Sequence, residues 1–265
     1  MDFINSNSNR QLKLYRSLGK RKYREKLNLV PVEGDRLLAD LLQRGIFPEA
    51  VYLREDRGRE DCPCLDLLPA ETPVFRVAEK LFDRSSFTET PQGIFAVFRK
   101  PAGRLEDVFS ADSLILVVDR IQDPGNLGTM LRSAAAAGAG GVVLLPGTVD
   151  PANPKAVRAS MGALFALPVV EAAFPALSTA LKVRQIPLIT AEAQARLSYD
   201  SYDWRGPAAL VVGNEGSGIA AEVKAAADVS LAIPMQRKIE SLNAAVAVSL
   251  MLFEAARQRR VFSGS

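Results

Sequence analysis

A chain of 265 residues can hold one large or two modest domains, and its 48% apolar content is enough to fill a real core. It contains no histidine, which excludes Ser-His-Asp triads, Cys-His pairs and histidine-ligated zinc, so any general base must be another residue type. The net charge of +3 conceals an uneven distribution: residues 1–26 carry eight lysines and arginines against Asp2 and Glu25, and the rest of the chain sums to −3.

The longest strongly apolar run, Ala244 to Phe253, is far short of the roughly 20 residues that cross a bilayer, so no spanning helix is expected. The charged N-terminal segment lacks the continuous apolar stretch of a secretory signal, and a cytoplasmic location is the expectation. Cys62 and Cys64 form a CPC pair with no second pair to complete a four-thiolate site. They read as two ordinary thiols, with a redox role as the alternative, and no metal is expected.

In chain order, Leu12, Tyr15 and Leu18 recur at helical spacing, predicting one helix from about Asn9 to Lys26 that docks an apolar stripe and displays Lys20, Arg21, Lys22 and Arg24. Those four are candidate contacts to a nucleic-acid backbone; a solvated helix face accounts for the same charge run. A short strand (Leu29 to Val32) and a helix from about Glu33 to a stop at Gly45 follow. Strands are predicted at Ala50 to Leu53, Val74 to Val77 and Ile94 to Phe98, which makes residues 1–105 a small α/β domain. PAGRLEDVFSADS marks the boundary. In 106–265 the runs LILVVD, GVVLLP, PLITAE, AALVVG and VSLAIP alternate with amphipathic or Ala-rich segments, the pattern of a parallel sheet covered by helices.

Three separated segments place polar constellations where a strand or loop enters a helix. In DPGNLGTMLRSAAAAG, from Asp123, Asn126 occupies a possible N-cap, and Arg132 is one turn after Gly128, so its guanidinium can lie over that glycine near the positive end of the helix. In GNEGSG, from Gly213, glycines 213, 216 and 218 allow tight turns. The spacing is GxxGxG, not the dinucleotide GxGxxG, and Glu215 would repel a pyrophosphate. A cofactor without phosphates, such as S-adenosylmethionine, is better suited. In IPMQRKIESLN, from Ile233, Ser241 is the N-cap candidate for the terminal helix, and Leu242 and Asn243 open its first turn.

Together, in this order, segments of the form DPxNxGxxxR, GNExxG and IPM with ESLN resemble the three motifs of the SpoU/TrmH family of RNA ribose 2′-O-methyltransferases, part of the SPOUT superfamily. The resemblance runs from about Leu114 to Gln258, and SLGKRKYRE with VEGDRLLADLL resembles the small ribosomal-protein-like RNA-binding domain ahead of many members. It implies a trefoil-knotted α/β methyltransferase domain, a homodimer and S-adenosylmethionine as cofactor. It implies Asn126, Arg132, Glu215, Ser241 and Asn243 as the catalytic and substrate-positioning set, with Arg132 facing RNA. The implied cofactor contacts are Thr190, Gly213, Glu215, Gly216, Ile233, Met235 and Leu242. The expected reaction is attack of a ribose 2′-hydroxyl on the sulfonium methyl, with 23S rRNA favoured over tRNA. A non-enzymatic RNA-binding protein and a Rossmann oxidoreductase are the competing classes; the intact polar set speaks against the first, and the glycine spacing with Glu215 against the second.

Overall fold

The computed structural model describes residues 2–58, 60–110, 113–237 and 241–263. The chain divides into two compact units: Met1–Lys100 with Asp150–Gly162, and Pro101–Val149 with Ala163–Ser265.

The first unit runs β1 (Asp2–Ile4), α1 (Arg10–Ser17), α2 (Arg21–Leu27), β2 (Leu29–Glu33), α3 (Asp35–Gln43), β3 (Ala50–Arg54), β4 (Val74–Val77), α4 (Glu79–Asp83) and β5 (Ile94–Arg99). Its sheet has the order β1-β4-β3-β5-β2, parallel at the β1/β4 and β3/β4 pairs and antiparallel at the other two. An aromatic cluster fills its core, with the Tyr15 and Phe95 rings stacked 3.8 Å apart.

The single helix expected over 9–26 is two. The α1 turns tighten to i→i−3 bonds at Leu18, Gly19 and Lys20, and α2 starts in a new direction. That break leaves the Leu18 carbonyl for the Arg24 guanidinium, which donates to it at 2.6 Å. Arg24 therefore points inward, 3% exposed, and pairs with the equally buried Asp150 at 2.7 Å. It is not displayed beside Lys20, Arg21 and Lys22, all of which are exposed.

The second unit begins with β6 (Leu114–Val118), α5 (Pro124–Ala136) and β7 (Gly141–Leu144). After β7 the chain contributes α6 (Pro154–Ser160) to the first unit. It then completes the second with β8 (Val169–Glu171), α7 (Phe174–Val183), β9 (Leu188–Ala191), β10 (Leu197–Ser198), β11 (Ala208–Val212), α8 (Ala221–Ala225), β12 (Val229–Ala232) and α9 (Ala244–Ser263). All seven strands are parallel, in the order β10-β12-β9-β11-β6-β7-β8. Every residue of β6 and β11 is buried, so both faces of the sheet centre are covered, as the unbroken apolar runs require. The short edge strands β8 and β10 have no such run, so periodicity does not reveal them. Among the described residues no helix is long and apolar enough to cross a membrane.

Candidate active site

The carboxyl ends of β6, β9, β11 and β12 all open on one side of the parallel sheet, the side where open α/β sheets place their ligands. After β11 the chain folds into a tight loop: Asn214 and Gly218 exchange backbone hydrogen bonds at 3.1 and 2.9 Å, and the Asn214 side chain accepts from the amides of Gly216 and Ser217. Gly213 is sterically obligatory, because a Cβ there would lie 2.3 Å from the Ile219 nitrogen, and Gly218 has φ +67°. The buried Asp119, just past β6, anchors the loop. It accepts from the Ala220 amide at 2.7 Å and pairs with Arg120, whose guanidinium donates to the Gly218 carbonyl.

Helix α5 is capped by Asp123, not by Asn126: the Asp123 carboxylate accepts from the Asn126 amide at 2.8 Å, with Pro124 in the first turn. The Asn126 side chain is thereby released for other work. At α9, the cap is Asn243 and not Ser241. Its carbonyl accepts from Ala247, and its Oδ1 accepts from the amides of Ala245 and Val246 at 2.9 and 3.3 Å. With Oδ1 committed, the Asn243 Nδ2 donates to Asn126 Oδ1 at 3.0 Å, and Asn126 Nδ2 donates to Glu215 Oε1 at 2.9 Å. One hydrogen-bonded chain thus joins the three sequence segments. Helices α5 and α9 are further linked by the Ser133 and Ser249 hydroxyls, 2.7 Å apart.

Beside this chain lies a cavity of about 830 Å³. Gly213, Glu215, Ile233, Met235, Ser241, Leu242 and Asn243 all line it, so most of the residues singled out by sequence meet there. Residues 238–240 of the third segment lie outside the described residues. Asn126, Gly216 and Arg132 do not line the cavity; Arg132 is on the exposed face of α5 and has no hydrogen bond or ion pair among the described residues. Thr190 is fully buried and reaches the site through another residue, donating to Glu192 at 2.9 Å.

Glu192 is a site residue that sequence reasoning misses, since a Glu in TAEAQ carries no signal. It lines the cavity and also accepts from the Ser230 hydroxyl and from the Lys224 ammonium at 2.6 Å. Burial opposes its ionisation, but the hydrogen bonds from Lys224, Thr190 and Ser230 and the charge of Lys224 outweigh it, so its carboxyl lies below the usual carboxylate range.

Of the basic residues expected to face a nucleic acid, Lys20, Arg21 and Lys22 are exposed, Arg21 being paired with Glu25, while Arg24 is buried as described. Tyr23, 39% exposed, adds an aromatic side chain among them that the charge pattern alone does not reveal. Cys62 and Cys64 are both free thiols, and neither lines the cavity. Burial, then the hydrogen bond to Asp35, pushes the Cys62 thiol up to about 12, so it is not a nucleophile at neutral pH. Among the described residues no group of three or more acidic or cysteine side chains could hold a metal ion.

Residues 113–253 match the SpoU rRNA Methylase family, and residues 9–96 match the MRM3-like substrate binding domain. The chain is 34% identical over 254 residues, 96% of its length and 98% of the relative's, to the 23S rRNA (guanosine(2553)-2′-O)-methyltransferase RlmP of Bacillus subtilis. It is 33% identical over 186 residues, 68% of this chain and 65% of the relative, to the 23S rRNA (uridine(2479)-2′-O)-methyltransferase of Streptomyces viridochromogenes. The solved structure of the SpoU methyltransferase AviRb from Streptomyces viridochromogenes, in complex with the cofactor AdoMet, is similar with a TM-score of 0.87 at 28% identity, covering 95% of this chain and 98% of that one.

Proposed function

Because this chain belongs to the SpoU rRNA methylase family, we infer that it is an S-adenosylmethionine-dependent RNA ribose 2′-O-methyltransferase whose substrate is 23S rRNA. The observation that carries the reading is the hydrogen-bonded chain Asn243–Asn126–Glu215 at the edge of a cavity that the GNEGSG loop and Ile233 to Met235 line. The chain is accessible enough to meet a macromolecule, and the cavity is large enough for a nucleoside-sized cofactor.

The donor set suits the cofactor. Ile233, Leu242 and Met251 offer apolar walls to a purine, and the carboxylates of Glu192 and Glu215 favour a sulfonium cation while disfavouring a pyrophosphate. Bound there, S-adenosylmethionine supplies an electrophilic methyl group. Gly213, Ile233, Met235 and Leu242 would hold it, the Gly216 amide closes the loop on Asn214 Oδ1, and Thr190 contributes by fixing Glu192. Asn126, Glu215, Ser241 and Asn243 would orient the ribose 2′-hydroxyl toward the cavity, and such positioning supplies much of the acceleration. Arg132, on the exposed face of α5, holds the neighbouring phosphate and stabilises the developing alkoxide. A guanidinium stays protonated, so Arg132 does not take the proton of the 2′-hydroxyl.

Lys20, Arg21 and Lys22 contact the RNA backbone, with the first unit as substrate-binding domain. The two named relatives act at a guanosine and at a uridine, which suits a site that reads ribose and leaves base choice to RNA placement. A trefoil-knotted path for the C-terminal segments belongs to the same proposal, supported by the resemblance of the three motifs. So does a homodimer, for which α9 offers Val246, Leu250 and Phe253 as an exposed apolar stripe. A cytoplasmic location completes it, supported by the rRNA substrate.

The test is methyl transfer from labelled S-adenosylmethionine to 23S rRNA and to tRNA, with the 2′-O-methyl position mapped. Arg132→Ala and Asn126→Ala are expected to abolish transfer while cofactor binding survives. Transfer to tRNA alone would overturn the substrate assignment, and near-normal turnover by Arg132→Ala would overturn the role of that residue.

A further inference from the structure

The cavity wall carries a second polar network that shares no residue with the Asn243–Asn126–Glu215 chain. Glu192 follows β9, Lys224 is on α8, and their charged groups meet at 2.6 Å on the cavity lining. Strand pairing builds the support: β12 lies beside β9 with Ser230 opposite Thr190, so both hydroxyls reach the same Glu192 oxygen, Oε1, at 3.3 and 2.9 Å. The two hydroxyls are 2.8 Å apart, and with the Thr190 hydrogen on Glu192 the Ser230 hydrogen is shared between Thr190 and Oε1. The pair is partly open, with side chains 23% (Glu192) and 44% (Lys224) exposed.

The remaining hydrogen-bonding valence is specific. Oε1 accepts from Thr190 and lies 3.3 Å from the Ser230 hydroxyl, whereas Oε2 accepts from Lys224 and retains one lone pair. The Lys224 ammonium has three hydrogens and gives one to Glu192. The cavity wall thus presents an anionic acceptor and cationic donors side by side, the complement of an α-amino acid zwitterion.

We propose that Glu192 and Lys224 bind the amino-acid end of S-adenosylmethionine, Glu192 taking its α-ammonium and Lys224 its α-carboxylate. The proposal rests on the methyltransferase reading and goes further, by dividing the cavity into an apolar subsite for the adenosine and an ionic subsite for the methionine tail. Thr190 and Ser230 are positioning residues that act through Glu192. A carboxylate acting alone could instead hold the ribose diol, but a lysine drawn to its free oxygen would then compete with the ligand.

The experiment is calorimetric titration of the full-length protein, wild type, Glu192→Gln and Lys224→Met, with S-adenosylhomocysteine and with 5′-methylthioadenosine. The second ligand keeps the adenosine and sulfur but lacks the zwitterion. Each variant is expected to bind S-adenosylhomocysteine about tenfold to a hundredfold more weakly, the usual range for a lost charged hydrogen bond. Binding of 5′-methylthioadenosine is expected to stay at the wild-type level, which also reports that the variants are folded. Unchanged affinity for S-adenosylhomocysteine would overturn the proposal and leave the ion pair a structural one. A parallel loss for both ligands would overturn it in favour of contact with the adenosine. A wild-type protein that bound neither would overturn the methyltransferase reading, and this inference with it.

Discussion

Asn243 donates its Nδ2 hydrogen to Asn126 Oδ1 at 3.0 Å, and this single contact sets the orientation of two side-chain amides. Because Asn243 Oδ1 already caps α9, its nitrogen must face Asn126, and the Asn126 nitrogen is then left to face the Glu215 carboxylate. Helix capping and the orientation of the Asn126 side chain are therefore coupled in one residue.

That coupling can be separated. Asn243→Asp keeps an oxygen for the Ala245 and Val246 amides but presents no donor to Asn126, so stability is expected to change little. Methyl transfer is expected to fall about tenfold to a hundredfold, as for a lost hydrogen bond to a charged network. Asn243→Ala removes the cap as well and should cost about 1 kcal/mol of stability. Chemical denaturation and single-turnover rates measure the two effects; full turnover by Asn243→Asp would remove the chain from the mechanism.

The glycine loop gives a sharper contrast. A Cβ on Gly213 meets the Ile219 nitrogen at 2.3 Å and the Gly218 carbonyl carbon at 2.4 Å, whereas one on Gly216 has no neighbour nearer than 3.6 Å. Gly213→Ala is expected to cost about 1–3 kcal/mol through overpacking and to lose cofactor binding with the displaced loop. Gly216→Ala should be tolerated in both respects. Equal tolerance at the two positions would mean that the loop is not held as described.

That Asn126, Glu215 and Asn243 come together is legible in the sequence because they belong to distinctive motifs; their local hydrogen-bonding roles are not. Asp123 or Asn126 could cap α5, and Ser241 or Asn243 could cap α9, since all four side chains can accept from a backbone amide. The choice depends on where the chain turns into the helix. The five strands of the parallel sheet that have unbroken apolar runs are readable, while β8 and β10, short and at the edges, are not. Glu192 has no local signature because its role depends on register: β12 must pair with β9 for Ser230 to stand beside Thr190. Arg24 reads as displayed in the sequence, wrongly, because apolar periodicity does not mark the break at Leu18 to Lys20.

Arg24 and its neighbours should accordingly separate into stability and binding. Arg24→Ala leaves Asp150 buried without its charge partner and is expected to cost about 3–5 kcal/mol. Lys20→Ala and Lys22→Ala should change stability by less than about 0.5 kcal/mol. Each should weaken RNA binding and reduce the salt slope of log K by about 1 for every phosphate that is no longer neutralised. Urea denaturation with RNA titrations at several salt concentrations measures both; a stable Arg24→Ala that bound RNA weakly would reverse the assignment.

The Glu192 carboxylate predicts a pH window. Its folded pKa is lowered because the hydrogen bonds and charge that hold the carboxylate exceed the opposing effect of burial. A lowered folded value means that the unfolded chain binds the proton more tightly, so protonation favours unfolding. The stabilisation is complete above the unfolded carboxylate pKa of about 4.3 and is lost as pH falls through the lower folded value. Wild type should therefore exceed Glu192→Gln in stability by a constant margin from neutral pH down to about pH 5, and the margin should shrink progressively below about pH 4.3. Denaturant titrations of both proteins across that range measure it. A margin that stayed constant well below about pH 4.3 would mean that the Glu192 carboxylate does not set the pH dependence.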